Sequence, residues 1–176
     1  MKESILHYIW QFRLFPVQDL KTTDGQTVEI IDPGKPNTDA GPDFFNAKIK
    51  IDNTLWAGNI EIHSLSSDWV RHHHTTDKAY DNVILHVVNK ADANVFRTNG
   101  DSVAQLELAV PDHIRINYDE LLREKKWIPC ADKIHQVPLF LVNDWKNSLL
   151  VERLEQKTEM IETLLSQSNN HWEEAF

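Results

Sequence analysis

Asp43, Glu61 and His63 are the residues whose types and spacing point most directly to chemistry. Carboxylate oxygens ligate hard divalent cations such as Mg²⁺ or Mn²⁺, and the Ile62 carbonyl between Glu61 and His63 offers one more oxygen. The His63 imidazole can complete the shell or take a proton from an attacking water. Such a set suits metal-assisted hydrolysis of a phosphodiester, with Asp43, Glu61 and His63 as both metal ligands and catalytic groups. Arg71, His72 and His74 in the run WVRHHH, and Gln11 four residues beyond His7, are candidates for holding substrate. The same chain allows a different centre, because imidazole-rich sets favour zinc or iron: His63, His72, His74, Asp77 and His86. Three consecutive histidines on a helix point about 100° apart and cannot converge on one ion, whereas an irregular backbone brings His72 and His74 to one side. Two further readings remain: the acids are an acidic turn start and a polar sheet face, or the chain is a non-catalytic binding or assembly module built on its long acidic C-terminal helix.

The elements that must position these groups form a hairpin. Phe45, Ala47, Ile49 and Ile51 alternate with polar residues, as do Trp56, Gly58, Ile60 and Ile62, which is the two-residue period of half-buried strands. Asp52 and Asn53 supply the turn. A two-residue loop there pairs Ile51 with Thr54, sets Asp43 opposite Ile62 and leaves Asp43 and Glu61 on opposite faces. One extra residue exchanges the faces, so a paired-carboxylate site demands a three-residue turn over Asp52, Asn53 and Thr54, or a β-bulge.

Around the hairpin the pattern reads as alternating elements. Ile5, Leu6, Ile9, Trp10 and Leu14 predict an amphipathic helix over 3–14, ended by Pro16. A strand over 27–31 follows, then the turn-rich stretch DPGKPNTDAGP, with Asn37 and Asp39 as turn caps or rim groups. Ser66, Ser67 and Asp68 are N-cap candidates for a helix from about 68, and a short one is expected near 76–80. VILHVV predicts a central strand over 83–88, with His86 needing hydrogen-bond partners; SVAQLELAV predicts another over 102–110. One or two helical turns are expected over 118–127, and an apolar face on a helix of about 25 residues from Leu139. That face needs a partner: the domain, a second copy through residues 139–165, or a missing C-terminal region.

The bulk properties exclude some classes. The chain has 176 residues, 41% hydrophobic, enough for one domain with a sizeable core. No stretch reaches the length of a membrane span, and the start MKESILHYIWQF does not read as a signal peptide, so a cytoplasmic location is expected. A single cysteine, Cys130, excludes an intrachain disulfide. Eighteen basic against 27 acidic residues give a net charge of −9, which argues against an extended basic surface for duplex DNA.

The motif and element order resemble the PD-(D/E)XK nuclease superfamily. Pro42-Asp43 matches its first acidic element, Glu61-Ile62 the start of its second, and His63 stands where a lysine is expected. The resemblance implies an α/β, restriction-endonuclease-like mixed sheet flanked by helices, Mg²⁺ or Mn²⁺ on Asp43 and Glu61, and nucleic acid as substrate. The longer runs NTDAGPDFFNA, WAGNIEIH, SSDWVRHHH and YDNVILHVVNK resemble a bacterial domain-of-unknown-function family, DUF2851, found chiefly in Bacteroidetes. Its members resemble longer chains that continue past a segment like Trp172 to Phe176, which implies truncation here. The expected organisation is a nuclease-like core over 1–137 and a helical extension over 138–176.

Overall fold

A computed structural model describes residues 3–123, 125–128 and 130–175; Glu124 of the helical turns expected over 118–127 and Phe176 lie outside them. The first helix, α1 (Glu3–Gln11), buries Ile5, Leu6, Ile9 and Trp10 against a sheet. It stops short of Pro16 because Arg13 turns left-handed at φ 50°, and its guanidinium reaches the Ile31 carbonyl at 2.8 Å. Six strands follow: β1 (Val28–Asp32), β2 (Lys35–Pro36), β3 (Phe44–Ile51), β4 (Thr54–Leu65), β5 (Val83–Lys90) and β6 (Gln105–Glu107). Their order is β1-β3-β4-β5-β6, with β2 also on β3. Pairing is antiparallel from β1 and β2 through β4, and parallel from β4 to β5 and β5 to β6. The fold is a mixed α/β sheet flanked by helices.

The hairpin turn is the two-residue one, with Ile51 paired to Thr54. Asp52 makes it possible by adopting φ 50° and accepting the Thr27 backbone N–H at 2.9 Å. The extra residue comes from a bulge instead: Ala47 pairs with Gly58 but Phe44 with Ile60. Asn46 carries the irregularity at φ 58°, and its N–H donates to Asn59 Oδ1 at 3.3 Å. The register shift brings Asp43 beside Glu61, the face exchange that a paired-acid site requires.

On β5 six consecutive residues are buried, because α1 covers one face and a crossover covers the other. That crossover begins with α2 (Asp68–Arg71) and continues through two 3₁₀ turns, His74–Thr76 and Lys78–Tyr80. Trp69 anchors it, fully buried with its Nε1–H on the Phe96 carbonyl at 3.1 Å. Gly58 lets β4 approach β5, since a Cβ there would lie 2.5 Å from Ile84 Cγ2 and 2.6 Å from the Asn82 carbonyl oxygen. The strand expected over 102–110 shrinks to three residues because Ser102 and Val103 pair with Phe96 and Val95 rather than with the sheet. Helix α3 (Asp112–Arg123) starts earlier than expected, its first amides satisfied by the Pro111 carbonyl.

The chain forms two compact units, residues 1–120 and 121–176. The second contains α4 (Leu139–Gln167) and α5 (Trp172–Ala175). Helix α4 exposes Leu139, Phe140, Trp145, Leu150 and Leu154. Among the described residues, no helix is long and apolar enough to cross a membrane.

Candidate metal centre

Glu61 and His63 are two residues apart on β4 and project from the same face, and both are buried. Opposite them the crossover backbone breaks from helix geometry. Helix α2 ends at Arg71, His73 adopts a left-handed φ of 65°, and His74 opens a 3₁₀ turn. His73 is thereby turned out to solvent, while His72 and His74 both point at His63, the irregular arrangement that allows convergence.

One coordinating atom from each of His63, His72 and His74 lies within 4.8 Å of the others. His63 Nε2 is 3.0 Å from His72 Nδ1 and 3.4 Å from Glu61 Oε1. His74 Nε2 is 3.2 Å from the same Glu61 oxygen, is buried, and has no hydrogen-bond partner. The His74 ring stacks on Tyr80 with centroids 3.7 Å apart and meets the Trp69 edge at 5.3 Å. Behind His63, its Nδ1 contacts His86 Nε2 at 2.8 Å. His63, His72 and His74 can chelate a metal ion.

Burial keeps the His63, His74 and His86 rings uncharged. Burial, and then the neighbouring imidazoles beginning with His86, push His63 down to about 2. Burial and His74 push His86 down to about 3, and burial lowers His74. Neutral imidazoles carry the lone pair that a metal needs. Burial first and the Asp43 charge second raise Glu61 to about 9, so without a cation it keeps its proton. A divalent ion reverses that preference.

Asp43 adjoins this set through Glu61: its N–H donates to Glu61 Oε2 at 3.2 Å, and its Oδ2 accepts the Ile62 N–H at 2.9 Å. His7 of α1 reaches the same Oδ2 at 3.2 Å. Burial disfavours charge on His7, but the hydrogen bond and charge of Asp43 outweigh it and raise its pKa. Asp43, Glu61 and His63 are therefore brought together, and His72 and His74 join them. Gln11 is exposed at the end of α1 with no hydrogen bond to the cluster. Arg71 is exposed and pairs with Asp68 at 2.7 Å. Asp77 spends its carboxylate on the Ala79 N–H at 2.9 Å, capping the second 3₁₀ turn. Tyr80 completes the wall over His74 and carries no periodic signal in sequence.

No curated protein and no solved structure matches the chain. The family model described as protein of unknown function, DUF2851, matches residues 3–176, nearly the whole length. By that match the chain belongs to the DUF2851 family.

Proposed function

We propose that this protein is a metal-binding module in which His63 Nε2, His72 Nδ1, His74 Nε2 and Glu61 Oε1 hold one ion of the zinc class. The observation that carries the reading is convergence: one donor atom from each of His63, His72 and His74 lies within 4.8 Å of the others, and Glu61 Oε1 stands 3.2 Å from His74 Nε2 and 3.4 Å from His63 Nε2. Tetrahedral bonds of about 2.0–2.1 Å to nitrogen and oxygen place ligands about 3.3 Å from one another, so a bound ion would draw this set into a tighter shell. Three imidazoles with one carboxylate also suit zinc, iron or manganese better than magnesium, which prefers oxygen. Four protein ligands fill a tetrahedral shell, the arrangement of structural sites rather than of open, water-bearing ones. The unpartnered, buried His74 Nε2 is then a ligand rather than an orphan.

Titration of metal-free protein with Zn²⁺ and with Co²⁺, whose visible absorption reports tetrahedral nitrogen ligation, tests this. One ion per chain is expected, with His63→Ala or His74→Ala weakening binding at least 100-fold. Stoichiometric binding unaltered in both variants would place the ion elsewhere.

A second reading, metal-dependent phosphodiester hydrolysis, draws on one specific observation: the bulge sets Asp43 directly beside Glu61, with His63 two residues on. A bound divalent ion would neutralise phosphate charge and lower the pKa of water, while Asp43 and His7 stand ready to orient groups at its edge. Incubation of Mn²⁺- or Mg²⁺-loaded protein with single-stranded and duplex nucleic acid tests it. Cleavage lost in Asp43→Asn, with zinc affinity retained, would support this reading; no cleavage with any metal would leave the binding module alone.

A further inference from the structure

We infer that His86 is a positioning residue of the centre: it accepts the Nδ1 proton of His63 and so keeps the His63 Nε2 lone pair turned toward the ion. This role rests on the metal-binding reading above. His86 sits in the middle of β5, flanked in register by Glu61 on β4 and Gln105 on β6, and it is fully buried. Its neighbours Val83, Ile84, Leu85, Val87 and Val88 are all apolar, so an apolar side chain would satisfy packing here. The imidazole instead makes one hydrogen bond, 2.8 Å to His63 Nδ1.

Only one proton fits between two ring nitrogens at that separation. Two bare lone pairs repel, and two N–H groups collide. If His86 donates, a neutral His63 carries its own proton on Nε2, in the space between His72 Nδ1 and Glu61 Oε1, and cannot bind an ion. If His63 donates from Nδ1, its Nε2 is bare, 3.0 Å from one proposed ligand and 3.4 Å from another. Coordination therefore selects the second arrangement. An acceptor behind a metal-bound imidazole fixes the tautomer and the ring plane and raises ligand basicity.

The choice has a cost that marks His86 as part of the site. With Nε2 accepting, a neutral His86 must carry its proton on Nδ1, and that atom is buried without a hydrogen-bond partner. Buried donors are normally paired, and nothing in the strand itself requires a histidine here. The group makes sense as the back wall of the His63 ring, not as a fold determinant.

The experiment uses the full chain, Zn²⁺ and a competing chelator, with long-range ¹⁵N–¹H correlation of the histidine rings in the zinc form. The expected spectrum shows His63 protonated at Nδ1 and metallated at Nε2. His86→Phe, which fills the space without an acceptor, is expected to weaken zinc binding about 10–100-fold. His86→Gln, whose side-chain oxygen can take the place of Nε2, should recover affinity to within a few-fold of wild type. A His63 ring protonated at Nε2, or a folded His86→Phe variant with wild-type affinity, would overturn the inference. Should His86→Phe fail to fold, the wild-type spectrum decides alone. If the wild type binds no zinc, or His63→Ala binds it unchanged, the metal-centre reading itself fails and this role fails with it.

Discussion

Glu61 and the imidazoles around it respond to pH in opposite directions. His63 and His86 stay neutral in the folded chain, their pKa values depressed to about 2 and about 3 from 6.5. The unfolded chain binds those protons below pH 6.5, so their contribution to stability is present above that pH and is lost as pH falls. Glu61, raised to about 9 from 4.5, keeps its proton when folded and releases it when unfolded, so stability is lost as pH rises from 4.5 toward 9. Metal-free protein is expected to be most stable near pH 6.5, with urea midpoints falling on both sides. Glu61→Gln mimics the protonated acid and should flatten the alkaline limb and steepen the acid limb between pH 4.5 and 6.5; an unchanged alkaline limb would assign the loss to other groups. At this scale the sequence exposes residue types but not all contacts. Asp43, Glu61 and His63 are legible as one candidate set and the histidines as a rival one, but that Glu61 meets His74 while His72 meets His63 is not legible, because it depends on the backbone break at His73. Tyr80 is not, since it meets His74 across two successive 3₁₀ turns that follow no period. Arg71 has the composition of an anion ligand, yet Asp68 holds it at the surface.

The backbone between His72 and His74 decides whether imidazoles converge. His73 at φ 65° and ψ 19° is the link that turns its own side chain outward and aims its neighbours at β4. A β-branched residue in that left-handed conformation costs about 1–2 kcal/mol, while glycine adopts it freely. His73→Val is therefore expected to lower both stability and zinc affinity, the latter about tenfold, and His73→Gly to retain both. Chemical denaturation and zinc competition check this, and equal affinity in the two variants would dismiss the link as a determinant. A run of three histidines reads as a continuing helix by composition, and only the conformation of one residue says otherwise. The hairpin shows the reverse case. Its strands and the need for one extra residue follow from the alternation alone, but the bulge at Asn46 is fixed by Asn59, a partner 13 residues away. Alternation over 102–110 misleads for a related reason: it reports burial, and Val103 is buried by Val95 and Trp69 rather than by strand pairing.

At the scale of the whole molecule, the net charge of −9 sets the terms for partners. Binding to a polyanion has to be built locally, at an ion, because the summed field opposes it. The proposed ligands span only residues 61–74, from the end of one strand to the middle of the connection that leads to its parallel neighbour. Parallel pairing is slow to form because a long connection must close before any strand contact rewards it. A loop of about ten residues closes in roughly 10–100 ns, long before that pairing exists. An ion gripped by Glu61, His63, His72 and His74 would pin the crossover to β4 while β5 is still unplaced. Stopped-flow refolding is expected to accelerate with Zn²⁺, whereas an effect confined to slower unfolding would mean that the ion arrives after the sheet is complete. The cluster would then act as a clasp on the assembly pathway, choosing on which side of the sheet the chain crosses before the core exists to choose it.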